Sequence, residues 1–142
     1  MKVLFVCTGN TCRSPMAELF FNHYRKKIGK TPCGKSCGIS TCDDLPISGN
    51  AAAVMLENGI DPSGFRSSSA TLEAISEADV IYTMSSHHRN ALVSALPEFA
   101  GKISLLMENR DVSDPFGGNI DIYRRTFDMM RGKLMEIAEK LS

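Results

Sequence analysis

The sequence lacks tryptophan, an excess of either charge, and any apolar run long enough to cross a membrane. Its 142 residues contain no Trp, and 16 basic side chains balance 16 acidic ones. A balanced surface does not attract polyanions, so we expect no nucleic acid partner. The apolar stretch near the start ends at Cys7, which is too short for a membrane span or a signal-peptide core. We therefore expect no membrane partner and a cytoplasmic location.

The cysteines do not form the pattern of a disulfide framework. There are five of them, an odd number, at irregular spacings, whereas small secreted domains pair theirs. Cys33, Cys37 and Cys42 have no histidine near them, and three thiols without a fourth ligand make a poor structural zinc site. We predict no metal and interpret these three as incidental thiols.

Apolar runs that alternate with amphipathic segments indicate the fold class. The chain has 43% hydrophobic and 23% charged residues and a length that fits one domain over residues 1–142. Strands that alternate with helices predict βαβ crossovers and a parallel sheet with helices on both faces. The first helix is predicted to be capped by Ser14, with Pro15 at its first position, and to end at Gly29. The predicted strands are KVLFVC, SCGIS (36–40), ADVIYTM and KISLL.

The stretch CTGNTCRS lies between the first predicted strand and helix, where parallel sheets bind ligands. A loop this short turns its backbone N–H groups inward, and the start of a helix adds the positive end of a dipole. Gly9 and Asn10 tolerate the left-handed backbone that such a loop needs. Arg13 offers a planar fork that fits two oxygens of a tetrahedral anion. The loop is predicted to bind a phosphoryl group.

Cys7 at the start of this loop is the predicted nucleophile. An anion-binding loop stabilises the thiolate, which is the reactive form, and the Ser14 hydroxyl can donate to the sulfur. The alternative is a buried cysteine at a strand end and an arginine paired with a distant acid; the position between strand and helix favours the phosphate loop. The predicted substrate-binding residues are Thr8, Gly9, Asn10, Thr11, Cys12, Ser14 and Phe116.

The segment SDPFGG is the candidate source of a proton for the leaving group. Asp114 follows the last predicted strand, so it belongs to the same edge of the sheet as Cys7. As a general acid, Asp114 would protonate the leaving atom and then accept a proton from the attacking water. Pro115 stiffens the loop, and Phe116 can form a wall against a flat group. The segment is equally typical of a plain turn, and composition alone does not decide between the two.

The segment VLFVCTGNTCRSPMAE together with DPFGG resembles the low-molecular-weight protein tyrosine phosphatases. The resemblance extends over most of the chain, including SCG at 36–38 and ADVIYTMSSHH. It implies a single-domain three-layer α/β fold with a four-stranded parallel sheet, no cofactor, and a cysteinyl-phosphate intermediate. It also implies phosphorylated protein substrates, with phosphate and other oxyanions as inhibitors. Carried onto this sequence, it makes Cys7 the nucleophile, Arg13 the phosphate clamp and Asp114 the acid, with Asn10 and Ser14 shaping the loop and Ser36 supporting it.

Within this family, the two motifs are most similar to the bacterial branch of protein arginine phosphatases. In that branch a threonine stands where many tyrosine phosphatases carry a bulkier aliphatic residue, and here it is Thr11. Gly117 replaces a second aromatic, which removes one stacking wall. The sequence therefore favours phosphoarginine. The alternative is a phosphotyrosine phosphatase in which Thr11 is a tolerated variant.

Some positions depart from the family pattern. Many relatives carry histidine and arginine where this chain has Phe65 and Ser68, so we expect Asn10 to lose part of its support. His88 is interpreted as a helix-end residue without a catalytic role. In relatives with a second cysteine in the loop, the two can form a disulfide that protects the nucleophile, which would make Cys12 a redox partner; a buried thiol is the alternative.

Two other functions are compatible with this loop. A thiol-dependent arsenate reductase needs a relay of cysteines, but SSHHRNALVSALPEF, after the third predicted strand, has none. A phosphate-binding module without catalysis would have lost one of Cys7, Arg13 or Asp114, and all three are present. A phosphatase is therefore the favoured interpretation.

Overall fold

The computed structural model describes residues 1–141, and the sheet within them has four strands, all parallel. The strands are β1 Val3–Cys7, β2 Gly34–Gly38, β3 Val80–Thr83 and β4 Ile103–Leu105. Their order is β2-β1-β3-β4, so β1 is central and is paired on both sides. Val3 pairs with both Gly34 and Val80, which aligns the starts of three strands.

Helices cover both faces of this sheet and confirm the predicted three-layer α/β fold class. They are α1 Arg13–Lys27, α2 Gly49–Glu57, α3 Leu72–Glu77, α4 Ser86–Ala95 and α5 Ile120–Lys140. The first core holds buried residues of α1, α2 and α5, and the second holds those of α3 and α4. A short 3-10 helix at Pro97–Lys102 precedes β4.

The central strand explains why an unbroken apolar run was needed. All five residues of β1 are buried, because its side chains alternate between the two cores. Phe5 points into the first core, where its ring lies 5.4 Å from that of Phe21 in an edge-to-face contact. Leu4 and Val6 point into the second core.

Two element boundaries differ from the sequence prediction. Helix α1 begins at Arg13 with Cys12 at its N-cap, and not after a Ser14 cap. The Ser14 prediction was wrong because its hydroxyl bonds to Cys7 and Asn10 in the preceding loop. Strand β2 runs from 34 to 38, and not from 36 to 40, because its partner β1 ends at Cys7, opposite Gly38.

The connections diverge at the carboxyl edge of the sheet. The chain leaves β1 toward α1 in the first core, whereas it leaves the adjacent β3 toward α4 in the second core. Such a divergence opens a crevice between neighbouring strand ends, and Cys7 lies there. Within residues 1–141, no helix is both long and apolar enough to cross a membrane.

Candidate active site

The loop from Cys7 to Ser14 curls around the Cys7 sulfur. The backbone N–H of Asn10 donates to Cys7 Sγ at 3.2 Å, and Ser14 Oγ lies 2.8 Å from the same sulfur. Asn10 has a φ of 53°, a left-handed conformation that asparagine adopts more readily than most residues. The loop therefore presents hydrogen-bond donors to the sulfur.

The side chain of Asn10 is fully buried; it closes the loop on itself and joins it to two other segments. Its amide nitrogen donates to Ser14 Oγ at 2.8 Å and to Ser36 Oγ at 2.9 Å. Its oxygen accepts from the backbone N–H of Ser68 at 2.8 Å, and since that group only donates, the orientation of the amide is fixed. The main chain of Ser68 thus supplies the support that Asn10 was expected to lose. Phe65, the other position that departs from the family pattern, is buried.

Glu18 completes this network and was not identified from the sequence. Ser36 Oγ donates to Glu18 Oε1 at 2.7 Å, and burial raises the pKa of Glu18. Because Asn10 donates to Ser14, the hydrogen of the Ser14 hydroxyl is left for the Cys7 sulfur. The spacing could have indicated Glu18, since it lies four residues after Ser14 and so on the same face of α1.

Gly38 at the end of β2 supports the loop from below. A Cβ at this position would lie 2.5 Å from the carbonyl oxygen of Thr8 and 3.0 Å from the backbone nitrogen of Asn10. Both distances are shorter than a normal contact, so the loop can lie this close to the sheet only over a glycine. Gly38 belongs to the SCG motif, but the sequence alone does not show why a glycine is needed there.

Arg13 and Asp114 come together at the mouth of the site. The Arg13 side chain is 7% exposed, and its Nη1 donates to the carbonyl oxygen of Val112 at 3.0 Å. Its Nη2 lies 3.7 Å from Asp114 Oδ2, and the Asp114 side chain is 56% exposed. Both residues line a cavity of about 260 Å³, together with Cys7, Thr8, Gly9, Thr11, Cys12 and Phe116. The structure thus brings the predicted catalytic residues together, while Asn10, Ser14 and Ser36 lie behind the cavity wall.

The segment at Asp114 is a turn as well as a wall of the cavity. Asp114 Oδ1 accepts from the backbone N–H of Phe116 at 3.1 Å, and Gly117 has a φ of 82°. Asp114 Oδ2 remains directed toward Arg13. The ring of Phe116 is 81% exposed. The two interpretations of this segment are therefore compatible, since a turn holds one carboxylate oxygen and leaves the other at the cavity.

His88 lies behind Thr8 and forms a contact that the sequence did not reveal. It is the third residue of α4 and forms a capping box with Ser85, which confirms its place at a helix end. Its Nε2 lies 2.8 Å from Thr8 Oγ1. Burial, and then the nearby charge of Arg13, lower the pKa of His88 from 6.5 to about 4.

Cys12 lies at the base of the loop. Its sulfur is 3.4 Å from both Ser48 Oγ and the hydroxyl of Tyr123, and burial raises the pKa of Tyr123. The three other cysteines differ from one another: Cys33 is half-buried, Cys42 is exposed, and burial raises the pKa of Cys37 to about 12. All five thiols are free. Residues 1–141 hold no group of three His, Cys, Asp or Glu side chains arranged for a metal ion.

Known proteins match this chain over nearly its whole length. Residues 2–142 match the family described as low molecular weight phosphotyrosine protein phosphatase. The protein-arginine-phosphatase of Bacillus subtilis (strain 168) is 34% identical over 99% of this chain and 97% of its own length. The low molecular weight protein tyrosine phosphatase of T. tengcongensis is 42% identical and superposes with a TM-score of 0.94, with 99% of each chain covered.

A third relative was solved in a modified state. It is a cysteine-to-serine variant of the YwlE arginine phosphatase with a phosphorylated active-site serine, 33% identical, with a TM-score of 0.93 over 99% of this chain and 95% of its own. These likenesses identify a phosphatase of phosphorylated proteins. The chain belongs to the low-molecular-weight phosphotyrosine protein phosphatase family.

Proposed function

We propose that the protein hydrolyses phosphoarginine in proteins through a phosphocysteine intermediate on Cys7. The observation that carries this proposal is the position of the Cys7 sulfur, which accepts from the backbone N–H of Asn10 and lies 2.8 Å from the Ser14 hydroxyl. The nearly buried guanidinium of Arg13 and the carboxylate of Asp114 line the same cavity. This combination offers a thiolate, an anion clamp and a proton donor to one phosphoryl group.

In the first step the Cys7 thiolate attacks phosphorus and forms a sulfur–phosphorus bond. The bond from phosphorus to the leaving nitrogen breaks, and that nitrogen takes its proton from the Asp114 carboxyl group. Arg13 and the inward N–H groups of the loop stabilise the charge on the phosphoryl oxygens in the transition state. The products of this step are a free arginine side chain and phosphocysteine.

In the second step water attacks the phosphocysteine. The Asp114 carboxylate takes a proton from the water, the sulfur–phosphorus bond breaks, and inorganic phosphate leaves. The Ser14 hydroxyl, whose hydrogen is directed at sulfur, stabilises the departing thiolate. Enzyme and carboxyl group return to their starting protonation states, so no further reactant is needed.

The choice of phosphoarginine rests on the wall of the cavity and on one relative. Thr11 places a hydroxyl in the cavity lining, where a polar guanidinium leaving group can bond to it. Gly117 offers no second ring beside Phe116. The relative from Bacillus subtilis is named a protein-arginine-phosphatase, which supports the same choice.

Phosphotyrosine is the second candidate. The exposed ring of Phe116 at the cavity suits a flat phenol, and the relative from T. tengcongensis is named a protein tyrosine phosphatase. The chemistry would be unchanged, with the phenol oxygen taking the proton from Asp114.

The deciding measurement is the ratio of kcat/KM on matched phosphoarginine and phosphotyrosine peptides, with Cys7→Ser as the inactive control. We expect the ratio to favour phosphoarginine, and Thr11→Ile to move it toward phosphotyrosine, while Thr11→Ser, which keeps the hydroxyl, leaves it in place. An unchanged ratio in Thr11→Ile would contradict the role of Thr11. Reduction of arsenate with thioredoxin but no release of phosphate from either peptide would overturn the phosphatase proposal.

The proposal also covers the inhibitors, partners, location and redox chemistry of the protein. Inorganic phosphate and other tetrahedral oxyanions should inhibit competitively, because the loop is built for such an anion. Nucleic acid and membranes are not among the proposed partners. A reactive Cys7 requires a compartment that keeps thiols reduced, which favours the cytoplasm. We propose that residues 1–142 act as one domain and that Cys12 forms a reversible disulfide with Cys7 under oxidation.

A further inference from the structure

Thr8 and His88 join the two chain segments that diverge at the site. Thr8 follows β1 in the loop that leads to α1, and His88 belongs to α4, which follows β3. His88 is 1% exposed, whereas Thr8 is exposed and lines the cavity. The bond of 2.8 Å between Nε2 and Oγ1 therefore links a buried ring to a hydroxyl at the cavity.

The direction of this bond is set by the partners of the other ring nitrogen. His88 Nδ1 lies 3.1 Å from the backbone nitrogen of Ser85, which only donates. The Ser85 hydroxyl accepts from the backbone N–H of His88 at 3.3 Å and lies 3.0 Å from Nδ1. Nδ1 is thus an acceptor, and the neutral ring carries its hydrogen on Nε2.

The ring is neutral near neutral pH because burial, Arg13 and His87 all oppose its positive charge. Nε2–H therefore donates to Thr8 Oγ1. The Thr8 hydroxyl hydrogen is then not used by His88, and it remains for a ligand in the cavity. The oxygens of a phosphoryl group are acceptors without hydrogens of their own.

We infer that His88 is a positioning residue that holds Thr8 so that its hydroxyl donates to the phosphoryl group bound at Cys7. The identity of that group rests on the proposed function. His88 itself does not touch the ligand and acts through Thr8. Arg13 supplies charge to the same anion, while Thr8 adds one neutral donor with a fixed direction.

Two substitutions separate this role from a structural one. Thr8→Val keeps the shape of the side chain and removes the hydroxyl. His88→Asn keeps an acceptor for the Ser85 N–H, so α4 remains capped, but it lacks the Nε2 that reaches Thr8. The matched control is His87→Asn, since His87 is the exposed neighbour on the same helix.

The readout is the dissociation constant of inorganic phosphate, which needs no turnover. We expect each of Thr8→Val and His88→Asn to weaken phosphate binding by about tenfold, and the double variant to be no weaker than Thr8→Val alone. His87→Asn should bind like the parent. Additive losses, no loss in His88→Asn, or no phosphate binding by the parent would overturn the inference.

Nitrogen-15 NMR of the imidazole gives an independent test. We expect the His88 ring at pH 7 to be neutral with its hydrogen on Nε2, and a hydrogen on Nδ1 would refute the assignment. Phosphate binding by the two single variants and the double variant forms a double-mutant cycle. If neither phosphopeptide is hydrolysed but this cycle gives the expected result, the proposed reaction fails while the Thr8–His88 role stands. If the peptides are hydrolysed and the cycle fails, only this inference is lost.

Discussion

Two loops face the same cavity, and they are held in different ways. The loop from Cys7 to Ser14 is fixed by the buried side chain of Asn10, which bonds to Ser14 within the loop and to two other segments, at Ser36 and Ser68. The loop from Asp114 to Gly118 is held by a local turn, and the side chains of Asp114 and Phe116 are exposed. The first loop is thus fixed by tertiary contacts, whereas the second can change its side-chain contacts when a substrate enters. We expect damage to the first loop to cost stability and activity together, and damage to the second to cost activity alone.

The largest expected effect belongs to the exposed loop. Asp114→Asn should lower kcat by about a thousandfold on a phosphoarginine peptide, because general acid–base catalysis contributes about 10²- to 10⁴-fold. Its melting temperature should match that of the parent, since the carboxylate is mostly exposed. Asp128→Asn, at an exposed position on α5, is the control. A clear loss of melting temperature in Asp114→Asn would show that this loop also stabilises the fold.

In the loop from Cys7 to Ser14, Asn10→Ala should lower both stability and activity. It leaves the Ser68 N–H without its partner, at about 1–3 kcal/mol for an orphaned buried donor, and removes the donor to the Ser14 and Ser36 hydroxyls. The value of kcat/KM should fall about a hundredfold. Chemical denaturation and steady-state kinetics measure the two effects. Asn10→Gly removes the side chain but accepts the φ of 53°, so it separates lost bonds from backbone strain. If Asn10→Gly were as stable and active as the parent, the bonds would not hold the loop.

Burial of His88, which bonds to Thr8 in the first loop, makes the stability of the protein depend on pH. The folded pKa is about 4, and the unfolded ring takes up its proton near pH 6.5. The unfolded state therefore binds more protons between these values, and the free energy of unfolding falls as pH is lowered through this window. We expect a loss of about 2 kcal/mol, after allowance for solvent screening. Urea unfolding at pH 7 and pH 4.5 measures this loss. In His88→Asn the free energy of unfolding should change less between the two pH values, and an equal change in variant and parent would contradict a buried neutral ring.

The smallest expected effect belongs to Phe116. Removing its exposed ring in Phe116→Ala should raise KM for either peptide by about fivefold, since a ring against a cation or another ring contributes about 1 kcal/mol. Stability should not change, in contrast to Asn10→Ala. Leu72→Ala, at another exposed apolar side chain, is the control, and an unchanged KM would mean that Phe116 is not a wall of the binding site.

The same contrast explains what the sequence could predict. The phosphate loop and its neighbours are contiguous, so the spacing of Cys7, Gly9 and Arg13 carried most of the site, and apolar periodicity carried the fold class. The supporting residues come from distant segments. The spacing places Glu18 on the face of α1 that carries Ser14, and His88 at the start of a helix. Only the tertiary fold shows that Glu18 bonds to Ser36 and His88 to Thr8. The Ser14 cap was predicted wrongly because a local rule for helix ends cannot foresee a competing tertiary bond.

The close approach of β2 to the loop also limits how this protein can vary. The carbonyl oxygen of Thr8 occupies the space that a side chain at position 38 would need. Even a methyl group there would displace the main chain that surrounds the sulfur. Saturation mutagenesis of the whole chain should therefore find this edge-strand position as intolerant as Cys7 itself, although Gly38 performs no chemistry. An architecture of this kind places a catalytic constraint on a residue that has no functional group.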